Sequence, residues 1–367
     1  MRICIILPYA NPHDTGWIDE LISLPNHHVT VGIVNSVKKY RNNHFEEADN
    51  KEEYLYFFKS AQAKKNFYKE VKKCDCLITL GMFEKWFLEI IFFMPNVRKI
   101  YVLSEPFRQG SKRKLVARKL YISLVTLIKK SSKFSILCMG GDLVKKQYLA
   151  FGLKHASFYQ FGHFPLLHLH TKDISIKISV IKFIFVGQLI PRKGIEVLIK
   201  AIKYLEQKYS NWEFLIIGKG HLKDEIIKVH EKEERIKYIE NVRDPGVMKA
   251  YFNDNHILFL PSYFDGWGAV VNEALSSCCS LFLSKEVYAG VALLKDYENG
   301  FRFNPKNENE LFFFIDKYFS NPGILIDHFK KSEEIVKEWN YQNAAISFSN
   351  MLMGIVNSQN KSLLKTI

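Results

Sequence analysis

Apolar and polar positions along this chain fall into two repeating series of short apolar runs, separated by stretches with a helical beat. In the first series the runs are Arg2 to Leu7, Val29 to Asn35, Cys74 to Leu80, Val97 to Ser104, Lys133 to Met139 and Ala156 to Phe161. Runs without strict alternation are what parallel strands buried on both faces produce. Helical stretches lie between them, most clearly over Glu52 to Lys73 and Lys112 to Lys130. From His163 to Ser179 the chain turns polar, is broken by Pro165 and loses any steady period, which reads as a linker; His168 and His170 within it read as solvated rather than metal-bound.

A second series follows, with runs at Lys182 to Val186, Glu213 to Ile217, Ile236 to Ile239, His256 to Leu260, Leu281 to Ser284 and Phe301 to Asn304. Ile195, Leu198, Ile199, Ile202 and Leu205 form an apolar stripe at steps of three and four, the mark of an amphipathic helix. Two βα series joined by one linker predict an α/β protein with two doubly wound, Rossmann-like domains. The expected boundaries are 1–165, a linker at 166–179, a second domain at 180–335 and a C-terminal segment at 336–367.

Composition agrees with that picture. A length of 367 residues suits two domains, and 47% apolar with 25% charged residues is ordinary for globular proteins. The longest apolar window, Leu77 to Met94, is interrupted by Glu84, Lys85 and Glu89, short of the roughly 20 residues a bilayer span needs. Met1 to Leu7 has one Arg and a strand-like run but no secretory cleavage site, so the reading places the chain in the cytoplasm. Six cysteines fit no zinc spacing, and Cys74-Asp75-Cys76 reads as buried strand rather than as a metal or redox motif.

Charge adds a further element. Fifty-two Lys and Arg against 38 Asp and Glu give +14, which draws a protein toward anionic surfaces. Arg108 to Lys130 carries eight of these cations and no acid, with Leu115, Val116, Leu120, Ile122, Leu124 and Leu127 interspersed. Either this is a basic amphipathic helix suited to anionic lipid, or it is a helix packed on the sheet with a solvated basic face. Nucleic acid is not expected as a partner, because no recognised binding motif accompanies the charge.

Ligands of open α/β sheets bind at the carboxyl ends of the strands, so chemistry is sought in the loops there. The strand at 182–186 leads into Gly187-Gln188-Leu189-Ile190-Pro191-Arg192-Lys193-Gly194 and then the striped helix. A basic, glycine-bounded loop opening a helix suits a diphosphate, although a plain surface turn would share the composition. A lysine about 4 Å from a phosphate oxygen contributes roughly 4 kcal/mol before desolvation at an effective dielectric near 20, so Lys193 should dominate. The strand at 256–260 leads into a loop carrying Asp265, and a helix opening near Gly268 carries Glu273. Asp265 can meet sugar hydroxyls and Glu273 those of a ribose; as plain structure they would be a cap and a solvated charge. A glycosidase would also want two carboxylates but not the basic loop.

These pieces together resemble the family-four, or group 1, glycosyltransferases of the GT-B fold. The matching segments are FVGQLIPRKG (185–194), LIIGKG (215–220), LPSYFDGWGAVVNEAL (260–275) and ENGFRF (298–303), in the family's order and spacing. The resemblance implies two Rossmann-like domains facing across a cleft, with the C-terminal helix returning to the first. It implies that Lys193 meets the donor diphosphate and that Asp265 and Glu273, with seven residues between them, hold the donor sugar and ribose. Catalytic roles fall to Asp265 and Lys193, and donor contacts to Gly187, Gln188, Arg192, Gly218, Val242, Gly268, Ala269 and Glu273. It further implies retention of configuration, no metal and no cofactor beyond the nucleotide-diphosphate sugar as co-substrate.

Acceptor contacts are sought in the first domain, at His13, Gly16 and Glu105 in the loops Pro12 to Trp17 and Glu105 to Gln109. A glycan or lipid-linked acceptor of the cell envelope, reached from the cytoplasmic face of an anionic membrane, is the expected partner. Three departures from the pattern stand out: Asp265 where Glu is commonest, Gln188 where Arg often stands, and Cys278-Cys279-Ser280 in place of Gly-x-Pro. Two rivals remain, a GT-B sugar-nucleotide epimerase and an inactive, membrane-bound binding subunit.

Overall fold

A computed structural model describes residues 1–36, 51–93, 97–108, 110, 112–165, 178–355 and 363–367. The chain divides into two compact units, Met1–Leu166 with Asn340–Ile367, and Leu167–Trp339. His168 and His170, most of the predicted linker, and Gln109 lie outside the described residues.

The first unit is built on seven strands: β1 (Arg2–Leu7), β2 (His28–Ile33), β3 (Tyr54–Tyr56), β4 (Cys76–Leu80), β5 (Lys99–Ser104), β6 (Phe134–Cys138) and β7 (Ser157–Gln160). They lie in the order β3-β2-β1-β4-β5-β6-β7, all parallel. Its helices are α1 (Pro12–Ser23), α2 (Ala61–Val71), α3 (Lys85–Phe93), α4 (Lys112–Ile128) and α5 (Asp142–Phe151). Ile3 to Leu7 are all buried, as an apolar run covered on both faces requires.

The second unit carries β8 (Ile181–Val186), β9 (Trp212–Ile217), β10 (Ile236–Ile239), β11 (Ile257–Leu260), β12 (Ser280–Ser284) and β13 (Gly300–Phe303). The order is β10-β9-β8-β11-β12-β13, again parallel throughout. Around it run α6 (Ile195–Lys208), α7 (Lys223–His230), α8 (Pro245–Asp254), α9 (Val270–Ser276), α10 (Gly290–Leu293), α11 (Glu308–Ser320) and α12 (Ile324–Glu338). The predicted stripe buries Ile195, Leu198, Ile202 and Leu205 of α6.

The last helix, α13 (Tyr341–Met353), packs on α1 in the first unit. Gly16 is its seat: a Cβ there would stand 2.1 Å from Cζ of Tyr341. Beside it, Trp17 meets Phe348 with ring centroids 5.5 Å apart. Residues near 366 then run antiparallel along β7, with the Gln160 amide donating to the Lys365 carbonyl at 2.8 Å, and so cover a sheet edge that would otherwise be open.

Two sequence expectations need correction. The helical stretch from Glu52 opens instead with β3, where Tyr54 and Tyr56 bury on one face and pair in parallel with Val31 to Ile33. The helix begins only after Ser60, whose hydroxyl caps it by accepting from the amides of Gln62 and Ala63. The polar segment read as a linker from His163 does not start there, because His163 and Phe164 are 6% and 0% exposed within the first unit. All six cysteines are buried thiols. Among the described residues no helix is long and apolar enough to cross a membrane.

Candidate functional site

In the second sheet β8 is the first strand laid down, β9 and β10 extend it to one side, and β11 to β13 to the other. The loops after β8 and β11 therefore leave in opposite directions, and such a switch point opens a crevice at the carboxyl edge. Both predicted motifs sit on those two loops.

After β8 the chain turns through a short 3₁₀ segment, Pro191–Lys193, ended by Gly194 at φ 71°. Only glycine fits there, since a Cβ would lie 2.0 Å from the Pro261 carbonyl oxygen of the other loop. The loops are also tied by the Tyr263 amide, which donates to the Arg192 carbonyl at 2.8 Å. Two more glycines bring β9 close: a Cβ on Gly218 would fall 1.9 Å from the Gly187 carbonyl oxygen, and one on Gly220 would fall 2.2 Å from that of Leu189.

This close weave brings three charges together. The Lys193 ammonium donates to the Asp265 carboxylate, and Arg192 Nη1 lies 3.8 Å from its other oxygen while donating to the Phe264 carbonyl at 2.7 Å. Asp265 is held in turn by its backbone amide, which donates to the Glu286 carbonyl at 2.8 Å. Side-chain exposures of 13% for Lys193 and 11% for Asp265 put the pair nearly out of water. A nearly desolvated pair needs good geometry and further polar partners to hold. Two cations against one carboxylate leave a surplus positive charge fixed at the strand edge, where a polyanion can use it.

The other predicted residues surround this centre to different degrees. Gly268, at φ 89°, shapes the turn into α9, and Ala269 is the N-cap of that helix. Trp267 is buried, donates from Nε1 to Asn272 at 3.0 Å and stacks over Trp339 with centroids 6.3 Å apart, fixing the loop that carries Asp265. Glu273 is exposed on α9 between the buried Asn272 and Ala274. Gln188 is exposed beside the half-buried Gly187, and Val242 is half-buried in the loop between β10 and α8.

In the first unit the predicted acceptor residues fall at the carboxyl edge of β1 and β5, in company that the sequence did not reveal. His163 lies with Nδ1 2.9 Å from Asp14 and Nε2 3.6 Å from Glu105, and its ring centroid is 5.8 Å from that of His13. Asn11, the N-cap of α1, donates from Nδ2 to Asp14 at 3.1 Å. Burial alone would lower the imidazole pKa, but the carboxylates of Asp14 and Glu105 outweigh it and lift it to about 9. His13 and Glu105 thus belong to one cluster, organised by a histidine at the start of the polar segment that follows β7. Gly16 has a different task, because the space a side chain would need is filled by the Tyr341 ring.

Residues 171–338 match the family model of the glycosyl transferases group 1. An uncharacterized glycosyltransferase of Haemophilus influenzae is 28% identical over 167 residues, 42% of this chain and 46% of that protein. The alpha-monoglucosyldiacylglycerol synthase of Acholeplasma laidlawii is 27% identical over 187 residues, 50% of this chain and 46% of that protein. The chain spans about half the length of the curated relatives it matches. Among solved structures, HepE of Anabaena in complex with UDP superposes with a TM-score of 0.69 over 96% of this chain and 100% of its own, at 14% identity. That likeness is one of fold, and the fold is that of the GT-B glycosyltransferases.

Proposed function

We propose that this chain, whose residues 171–338 match the model of the group 1 glycosyl transferases, moves a sugar from a nucleotide-diphosphate sugar to an acceptor hydroxyl. The observation that carries the reading is the meeting of Arg192, Lys193 and Asp265 at the switch point of the second sheet. A diphosphate leaving group needs cations placed before the reaction begins, and these are anchored by Asp265 and by the loop backbone.

In the reaction the bond from the anomeric carbon to the diphosphate oxygen breaks, and negative charge grows on that oxygen. Lys193 and Arg192 stabilise it more as it develops than in the ground state, which is what accelerates the step. Asp265 takes sugar hydroxyls, and Glu273, exposed on α9, takes the ribose. The acceptor oxygen bonds to the same face of the anomeric carbon, and its proton passes to the departing phosphate oxygen, so configuration is retained without an enzymic base. Protein cations serve where other enzymes use magnesium, so the transfer is metal-independent. The Asp14–His163–Glu105 cluster, with His13, forms the acceptor side in the first unit.

The acceptor we favour is a lipid-linked or polysaccharide glycan of the cell envelope, met at the cytoplasmic face of the membrane. Its support is the partial similarity to a synthase named for a glycosylated diacylglycerol, together with the +14 charge. UDP-sugars are the first donors to try, since a protein of the same fold is known with UDP bound.

The test is release of nucleoside diphosphate from UDP- and GDP-sugars, with and without glycan acceptors. Lys193→Ala should lower turnover by roughly a hundredfold or more, as loss of an oxyanion donor does elsewhere. Near-normal turnover in that variant would remove the site, and loss of activity on adding chelator would remove the metal-free mechanism. Free nucleoside diphosphate appearing only with acceptor present separates transfer from epimerisation.

A further inference from the structure

Helix α4 has two apolar faces, and the protein uses one of them. Ile122 and Val125 are fully buried, and the helix packs against α3 and α5. On the same side the Arg118 guanidinium carbon lies over the Phe107 ring, 4.4 Å from its centroid. A helix advances 100° per residue, which puts Val116, Leu120, Leu124 and Leu127, at steps of four, four and three, on the opposite side. There they are 57%, 67%, 42% and 84% exposed. An unbroken stripe of large aliphatic side chains along three turns in water is unfavourable in proportion to its area, so it calls for an occupant.

Charge selects that occupant. Lys112, Arg113, Lys114 and Lys119 on the same helix are exposed, and no acidic residue occurs between Glu105 and Asp142. A second copy of this chain meeting the same face in a symmetric pair would set cations against cations. A bilayer rich in anionic lipid matches both properties, because the aliphatic stripe enters the acyl boundary while the flanking ammonium and guanidinium groups reach phosphates.

We infer that the exposed face of α4, led by Val116, Leu120, Leu124 and Leu127, is where the chain lies on an anionic membrane surface. The inference rests on the membrane-side acceptor proposed above and locates the contact within the first unit. The helix lies in the interface plane and does not cross it.

Co-sedimentation of the full chain tests this with vesicles of equal parts phosphatidylglycerol and phosphatidylcholine, against phosphatidylcholine alone. The wild type should bind the anionic vesicles and lose them as salt rises. Leu120→Glu with Leu127→Glu should weaken binding at least tenfold. Each of Lys112→Glu, Arg113→Glu and Lys119→Glu should weaken it about fivefold or more. Val247→Glu, at an apolar residue of α8 that is 44% exposed, should change nothing.

The substituted side chains already stand in water, so circular dichroism melts should match the wild type. Leu127→Trp gives a second reading, in which indole emission should shift to the blue on the anionic vesicles. The inference is overturned by equal binding to neutral vesicles, by wild-type binding in the Leu120→Glu, Leu127→Glu chain, or by no blue shift at position 127. It is equally overturned if those leucine changes instead dissolve a dimer in sedimentation equilibrium. A chain that binds UDP-sugars through Lys193 but ignores vesicles leaves the transfer reading intact and removes only this one.

Discussion

Cys278 shows how one residue can take over the geometry of another. Its backbone is one that glycine adopts freely, with φ 55°, and the residue is 1% exposed. A left-handed backbone costs an L-residue roughly 1 to 2 kcal/mol, which a buried thiol offsets through its packing. Cys278→Gly should therefore leave the denaturant midpoint nearly unchanged, a shift worth under about 1 kcal/mol. Cys278→Val, whose branched side chain fits that backbone badly, should cost about 2 kcal/mol or more. His163 makes the second residue-scale case. Its pKa is raised by folding, from an ordinary 6.5 to about 9, so its charge contributes stability that is fully present below pH 6.5 and lost as pH rises through 9. The stability difference between wild type and His163→Gln should shrink over that window by something on the order of 2 to 3 kcal/mol; a difference flat with pH would show that no charged imidazole is held there. Lys193 and Asp265 could be picked out as candidates because each stands in a patterned segment next to glycine. His163 was not, since its meaning comes from Asp14 and Glu105, which only the folded sheet brings to it.

At the scale of elements, the strands of both sheets were readable because burial on two faces writes unbroken apolar runs. The three-residue β3 escaped, because Tyr54 to Tyr56 merges into a sequence whose spacing also suits the helix that follows. Its placement depends on pairing with β2, a partner that local sequence does not announce. The crossing of the loops after β8 and β9 was likewise hidden, for a glycine in the sequence says nothing of which carbonyl passes over it. Gly218→Ala should force those loops apart, destabilising the second unit by about 1 to 3 kcal/mol, the range for overpacking. It should also abolish the thermal shift produced by UDP or UDP-sugars. If Gly218→Ala melts and binds like the wild type, the 1.9 Å approach to the Gly187 carbonyl is not a real constraint.

For the whole molecule, a donor that binds the second unit should stabilise it by about 2.7 kcal/mol at a hundred times its dissociation constant. Hydrogen exchange on adding UDP should slow at residues 187–194 and 261–269, while peptides from β5 to β7 keep their rates. Equal slowing in both units would argue that the nucleotide is not held where Lys193 and Asp265 meet. The discontinuous make-up of the first unit also bears on how the protein comes into being. Residues 167–339 leave the ribosome before the Tyr341 ring can cover Gly16 and before Lys365 can close the flank of β7. During synthesis the later-encoded unit can thus reach its native state while the earlier one still waits, half-assembled, for its final segment, and that pause is when a chaperone has most to protect.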